Sequence, residues 1–128
     1  MTFDVEHNAG SNAAVLSHTG SVDLEEIQAS RVRLKDIANT HQVRGAIIDI
    51  VDAEITARPV DIIGHVEDLV DDLRPGTRLA FVARGDEQQA VVAMIVTTVA
   101  HKSGTRVQGF TSREDALDWI RTGRAQVE

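Results

Sequence analysis

The polar residues best placed for chemistry follow the most apolar segments of this chain. Asp49 interrupts the run Gly45–Val51, which has the length and composition of a buried strand. In an open α/β sheet, ligands bind outside the carboxyl ends of the parallel strands. We therefore expect one edge of the sheet to carry the candidate ligand residues, which are Asp49, Asp52, Arg84, Gly85, Asp86, Thr111 and Ser112.

Two kinds of chemistry are open to this set. Asp49 and Asp52 could bind Mg²⁺ or act as an acid–base pair, and helix N-termini at the same edge could bind an anion. An enzyme using Asp49, Asp52, Arg84 and Asp86 would need a concave pocket that joins these groups and perturbs the pKa of their carboxyls. The structural alternative is simpler, because 84–86 also suits an ordinary turn and Ser112 an ordinary helix cap.

No known catalytic or metal motif supports the enzyme hypothesis. The chain has no glycine-rich nucleotide-binding fingerprint, no Gly-x-Ser-x-Gly elbow, no cysteine and no tyrosine. Its five histidines are far apart, and none belongs to a His-Glu-x-x-His pattern, so we expect no metal and no cofactor. We predict that the protein has no catalytic residues and is not an enzyme.

A second group of polar residues belongs to the segment 56–73. Pro59 suits the first turn of a helix, and Ile63, Val66, Leu69 or Val70, and Leu73 recur at helical spacing. The acids of this helix form either a solvated face or a surface that docks onto a basic partner. The candidate partner surface comprises Thr56, Arg58, Asp61, His65, Asp68 and Asp72.

The composition of the chain indicates which classes of partner it can bind and in which compartment it works. The formal net charge is −7, from 20 acidic and 13 basic residues, and the bases are scattered along the chain. Nucleic acid binding is not expected, since phosphates require a clustered basic surface. The absence of cysteine fits a reducing compartment. The first residues lack the pattern of a secretion signal. No apolar run approaches the ~20 residues that a membrane-spanning helix needs. We therefore expect a cytoplasmic protein.

The elements that must position these residues alternate along the chain. Extended segments at 2–7 and 13–19 flank the turn formers of 8–12 and should form a hairpin. Apolar strands at 45–51 and 79–83 belong in the middle of the sheet, and the alternating strand at 105–110 suits its edge. The predicted order, β-β-α-β-α-β-α-β-α, makes residues 1–128 a single α/β domain with a five-stranded mixed sheet and about four helices.

The segment from Glu87 to Lys102 shows a conflict between composition and length. Its many β-branched residues favour a strand, but about fifteen residues between two parallel strands match a helical crossover. We predict a helix here. Its apolar residues extend almost all round, so this helix is either buried in the core or faces another protein.

The segment Phe110–Ile120 joins a strand end, a helix cap and the only tryptophan of the chain. Ser112 can accept a hydrogen bond from the amide of Asp115, and Gly123 suits the left-handed residue that ends a helix. Together with the hairpin and the strands 43–50 and 78–82, this ending resembles the bacterial SpoIIAA-like (STAS-like) group, in which an Ala-Leu-x-Trp-Ile/Leu helix recurs. The resemblance covers nearly the whole chain and implies a SpoIIAA-like fold.

The same resemblance implies a regulatory role with one departure. In STAS anti-sigma-factor antagonists, a serine is phosphorylated at the start of the helix that follows the strand matching 47–50 here. The matching stretch, Ala57-Arg58-Pro59-Val60, has no hydroxyl at that position, and the nearby Thr56 is a poor substitute. A phosphorylation switch at this helix is therefore not expected, although the surface that binds a partner could remain.

The leading functional hypothesis is a non-enzymatic regulatory domain that binds another protein or itself. It would use the helix 59–73 and the loop before it. The alternative is a binding module for a small apolar, lipid-like ligand or for an anionic ligand, since the core is rich in small aliphatic residues.

Overall fold

The computed structural model describes residues 3–123, except for the side chains of residues 87 and 88. The elements follow one another in the predicted order: β1 (Phe3–Asn8), β2 (Ala13–Val22), α1 (Leu24–His41), β3 (Gly45–Ile55), α2 (Pro59–Asp72), β4 (Arg78–Val82), α3 (Glu87–Lys102), β5 (Val107–Phe110) and α4 (Arg113–Thr122). This arrangement confirms the predicted fold class. The predicted domain limits, residues 1 and 128, lie outside the described residues.

The sheet has the strand order β1-β2-β3-β4-β5. β1 and β2 form the predicted antiparallel hairpin, and β2, β3, β4 and β5 are parallel to their neighbours. β3 and β4 lie inside the sheet and β5 lies at its edge, as their apolar and alternating patterns predict. Because three of the connections are helical crossovers between parallel strands, the helices must cover the faces of the sheet.

The two faces of the sheet are covered unequally. On one face, α1, α2 and α3 contribute Leu34, Val66 and Val96 to the larger core. On the other face, α4 alone packs Ala116, Trp119 and Ile120 against alternate residues of the strands. Gly45 allows α4 to come close, since a Cβ there would lie 2.9 Å from Ile120 Cγ2.

Two strands run further than the sequence predicts. β2 continues to Val22 and β3 to Ile55, and the two extensions pair with each other after a register shift near Ser17. Exposed Asp52 and Glu54 alternate with buried Ala53 and Ile55, which is the pattern of a strand with one solvated face. β3 therefore continues four residues beyond the predicted strand end at Val51.

Helices α2 and α3 lie where the sequence predicts helices, and one predicted buried residue of α2 differs. α2 buries Ile62 instead of Ile63, whose side chain is 40% exposed. α3 is a helix over the predicted residues, with one side buried and the other exposed. Val92 and Val96 are buried in the core, whereas Val91 and Met94 are exposed.

Candidate functional site

Asp49 lies inside β3, several residues before the strand ends, and it faces α4. Its Oδ2 accepts hydrogen bonds from Arg113 Nε at 3.1 Å and Arg113 Nη2 at 2.8 Å. Its Oδ1 accepts from the amide of Val51 at 3.0 Å, and Arg113 also donates to Ser17 Oγ at 2.6 Å. These bonds compensate for the partial burial of a charge inside an apolar strand, and they tie the first turn of α4 to the sheet.

Asp52 and Arg84 lie together at the carboxyl end of the sheet. They border a shallow depression of about 410 Å³ with Gly20, Ser21, Ala53 and Glu54. The Arg84 guanidinium donates to the carbonyl of Val51 and, through Nε, to Asp86 Oδ2 at 2.8 Å. Gly85, between them, has open space around it.

Asp86 caps α3 and has a perturbed acidity. Its Oδ1 accepts a hydrogen bond from the amide of Gln89 at 2.9 Å. This bond, together with the Arg84 side chain, holds the pKa of the Asp86 carboxyl below its ordinary value. The low pKa follows from the helix cap and the neighbouring guanidinium, and it keeps Asp86 ionised.

Ser112 caps α4 in the same way. Its Oγ accepts from the amide of Asp115 at 3.2 Å, as the capping pattern predicts. The candidate ligand residues thus separate into two places: Asp49 and Ser112 lie on the side of α4, whereas Asp52, Arg84 and Asp86 lie around the strand ends and α3. The enzyme hypothesis needs all four of its residues in one pocket, and the depression beside Arg84 includes neither Asp49 nor Asp86.

Gln89 is an important residue that the sequence did not indicate. Its side chain is fully buried, and its Nε2 donates to the carbonyls of Ile50 at 2.7 Å and Ala53 at 3.1 Å. Its Oε1 accepts from the amide of Arg84 at 2.6 Å. Gln89 therefore joins β3, the loop after β4 and the first turn of α3. The only signal in the sequence is its position three residues after the capping Asp86.

The N-terminal part of the candidate partner surface stays accessible. Thr56 is exposed, and its Oγ1 donates to the carbonyl of Val22 at 3.1 Å. Arg58 is the N-cap residue of α2, without a side-chain bond to the helix amides, and it pairs instead with Asp61 at 3.0 Å. The helix begins where the resemblance to STAS domains predicts.

The C-terminal part of that surface faces α1. Asp68 pairs with Arg31 at 3.0 Å, and Asp72 pairs with Lys35 at 3.4 Å. His65 lines a small cavity of about 60 Å³ between the two helices, and its buried Nδ1 has no hydrogen-bond partner. These three residues therefore lie along the contact between α2 and α1, where the Asp68 side chain stays 60% exposed and the Asp72 and His65 side chains are partly buried.

The larger concave surface lies on the other side of α2, against α3. We call it the α2–α3 groove, and its volume is about 550 Å³. Within it, Ile63 and Met94 have exposed fractions of 40% and 62%. The groove is lined by apolar Ile63, Met94, Ile95 and Val99 and by polar Glu67, Asp71, Thr98, Lys102 and Ser103.

The charged side chains of the α2–α3 groove form no ion pair with the side chains that the structure describes. In residues 3–123, Glu67, Asp71 and Lys102 have no oppositely charged group within 4.0 Å. Exposed Val60 and Val91 continue its apolar surface towards the first turns of α2 and α3. The sequence left open whether the apolar residues of α3 are buried or accessible, and the groove depends on how closely α2 and α3 pack.

Two structural features are absent from the described part of the chain. No helix there combines the length and apolar character needed to cross a membrane. No group of three or more histidine, aspartate or glutamate side chains is arranged to hold a metal ion.

Comparison with known proteins identifies the fold. No family model and no curated protein matches the chain. Among solved structures, an anti-sigma factor antagonist from Mycobacterium paratuberculosis has a TM-score of 0.68 at 19% identity, over 94% of this chain and 93% of that chain. The unphosphorylated anti-sigma factor antagonist SpoIIAA has a TM-score of 0.64 at 15% identity, over 94% and 98%.

A third solved structure extends the comparison. It is an uncharacterised protein with a SpoIIAA-like fold from Shewanella loihica, with a TM-score of 0.61 at 16% identity, over 92% of this chain and 91% of that chain. These likenesses confirm the predicted SpoIIAA-like (STAS-like) fold.

Proposed function

We propose that the protein is a small, non-enzymatic regulatory domain of the cytoplasm that binds another protein through the α2–α3 groove. The observation that carries this proposal is the combination of exposed apolar side chains, Ile63 and Met94, with the unpaired acids Glu67 and Asp71. Apolar patches with a polar rim are typical of protein interaction sites. The likeness to anti-sigma factor antagonists supports a regulatory role.

The chemistry of the groove favours an amphipathic helix as the bound segment. A groove between two helices accepts the apolar side chains of such a helix at spacings of three and four residues. Lysine or arginine side chains on the flank of that helix would meet Glu67 and Asp71 on α2. Binding should therefore weaken with increasing salt, since the acids lie at the surface.

Phosphorylation at the start of α2 is not part of this proposal. The N-cap position is held by Arg58, and its neighbours Ala57, Pro59 and Val60 have no hydroxyl. The hydroxyl of Thr56 already donates to the carbonyl of Val22. We infer that regulation depends on the availability of the partner and not on a modified serine at this helix.

A small apolar ligand is the second candidate for the same groove. Its volume of about 550 Å³ lies in the range of ligand sites, roughly 300–1,000 Å³. Lys102 could pair with an anionic head group at one end. The acids Glu67 and Asp71 disfavour an anionic ligand at the other end, which places this candidate second.

Site-specific photo-crosslinking in the native host tests the proposal. A photo-crosslinking amino acid replaces Met94 in the groove or, as matched control, Val32 on α1, whose exposed fractions are 62% and 64%. We expect a discrete protein adduct from position 94 and none from position 32. The adduct should disappear with Ile63→Glu and weaken with Asp71→Lys.

The other outcomes separate the alternatives. An adduct of twice 13.9 kDa identifies self-association through the groove. A small molecule that co-purifies with the wild type and not with Met94→Glu, seen by native mass spectrometry, favours the ligand module. Identical products from positions 94 and 32 would refute the groove as a binding surface.

A further inference from the structure

Three arginines that are distant in the sequence stand side by side at the amino-terminal edge of the sheet. Arg44 precedes β3, Arg78 begins β4, and Arg106 precedes β5. The amide of Arg78 donates to the carbonyl of Arg44 at 3.0 Å, and the carbonyl of Arg106 accepts from Leu79 at 2.9 Å. Since neighbouring strands lie about 4.8 Å apart, the backbones of these arginines lie within roughly 10 Å.

The side chains of the three arginines converge on the last turn of α4. Arg78 Nη1 donates to the carbonyl of Ile120 at 2.7 Å, Arg44 Nη1 to that of Arg121 at 3.1 Å, and Arg106 Nη2 to that of Gly123 at 3.1 Å. Gly123 makes room for this arrangement, because a Cβ there would lie 2.5 Å from Arg78 Nη2. The three guanidinium groups are thus held close together by one helix end.

No carboxylate of the described residues pairs with the positive charge of this cluster. Among residues 3–123, none of the three arginines has an acidic group within 4.0 Å. The C-terminal end of a helix supplies only about half a negative charge. Within the described residues 3–123, this edge of the sheet therefore carries a local excess of positive charge, although the net charge of the whole chain is −7.

We propose that Arg44, Arg78 and Arg106 form a binding site for a phosphate group, either free phosphate or the monoester of a small molecule. Each guanidinium has five N–H donors in a planar fork that matches the oxygens of phosphate. The carbonyls of α4 use one contact of each, and Arg44 and Arg106 are exposed. A phosphate monoester, with about −1.5 to −2 charges at pH 7, balances this cluster better than a single carboxylate.

This site is distinct from the other surfaces of the molecule. It lies at the opposite end of the parallel strands from Asp52 and Arg84, and its residues are not among those of the α2–α3 groove. Phosphate binding is therefore independent of the proposed partner site and can be tested separately.

Titration of the full chain with inorganic phosphate at low ionic strength tests the proposal. Calorimetry measures affinity, and NMR follows the side-chain Nε–H signals of the arginines, with chloride at equal ionic strength as the reference. We expect saturable phosphate binding that shifts the signals of Arg44, Arg78 and Arg106 and that chloride does not reproduce. Arg44→Gln and Arg106→Gln should each weaken binding about tenfold, whereas Arg33→Gln, exposed on α1, should leave it unchanged.

Phenyl phosphate as a second probe distinguishes the two sources of the phosphate group. Binding of phenyl phosphate at least as tight as that of phosphate supports a monoester, and weaker binding supports the free ion. Equal responses to phosphate and chloride, or shifts spread over all arginines of the wild type, would overturn the proposal. The wild-type NMR result decides the matter even where a substitution at the end of α4 prevents folding.

Discussion

At the scale of single residues, Gln89 connects the elements that form the carboxyl edge of the sheet. Its buried amide is bonded to the backbone of Ile50, Ala53 and Arg84. Removing the amide leaves these buried backbone groups without partners, which costs about 1–3 kcal/mol for each unsatisfied group. We expect Gln89→Leu to lower the free energy of unfolding by several kcal/mol, measured by urea denaturation.

Gln28 provides the matched control for this substitution. It is an exposed glutamine on α1, and surface substitutions usually change stability by less than about 0.5 kcal/mol. Gln28→Leu should therefore have nearly the same free energy of unfolding as the wild type. A Gln89→Leu protein as stable as Gln28→Leu would show that the buried amide does not hold this edge together.

The pair of Asp49 and Arg113 is a contact between distant residues, which local sequence patterns do not predict. A charged residue inside an apolar strand needs a partner, but the partner of Asp49, Arg113, is 64 residues away. The same is true of the arginines at 44, 78 and 106, which look scattered in the sequence and meet only because strand register aligns them. Composition gives the net charge of a chain, whereas the fold decides where charges accumulate.

At the scale of elements, α2 begins at an unfavourable residue. Arg58 occupies the N-cap position with extended backbone and no side-chain bond to the helix. Serine there would accept a hydrogen bond from the first turn, which is worth about 1 kcal/mol. We expect Arg58→Ser to raise the free energy of unfolding by about this amount, measured by thermal and urea denaturation.

Arg58→Ala is the control, because it also removes the exposed ion pair with Asp61 without offering a cap. A difference between the serine and alanine variants isolates the capping bond from the loss of charge. If the two variants have the same stability, the start of α2 is fixed by Pro59 and packing and not by its cap.

Helix boundaries were predictable where a cap is encoded locally. Asp23, Asp86 and Ser112 accept from the amide three residues later, and Gly123 has the left-handed φ of 72° that its position predicts. The extension of β3 through 52–55 was missed because the prediction ended the strand with its continuous apolar run, although charged and apolar residues alternate in 52–55 as in a strand with one solvated face. Helical spacing alone does not fix the rotation of α2 about its axis, so it did not show that Ile62 is buried instead of Ile63. It also did not show the α2–α3 groove, which depends on how the two helices pack.

At the scale of the whole molecule, the larger core encloses a titratable side chain. Three helices enclose the larger core, and His18 of β2 lies beneath the first turn of α1 with only 5% of its surface exposed. Its Nδ1 is 3.5 Å from Glu26 Oε2, and its ring is tilted against Phe3. A titratable group is thus enclosed in the folded state and released on unfolding.

This enclosure makes folding sensitive to mildly acidic pH. Burial lowers the pKa of His18 below its ordinary value of 6.5, and the attraction of Glu26 opposes this only in part. Between the folded pKa and 6.5, the unfolded chain binds the proton and the folded chain does not. We expect the free energy of unfolding to decrease as pH falls from 7 through this window, by at most about 1.4 kcal/mol per pH unit for one proton.

Urea denaturation of the wild type and His18→Gln between pH 7.5 and 4.5 measures this effect. The variant should show a flatter dependence, whereas His101→Gln, exposed at the end of α3, should keep the decline because it retains His18. The lowered pKa of Asp86 removes stability only as pH falls below its ordinary value of 3.8, outside this range. An equally steep decline in His18→Gln would assign the acid sensitivity to another group and would leave His18 a neutral part of the core.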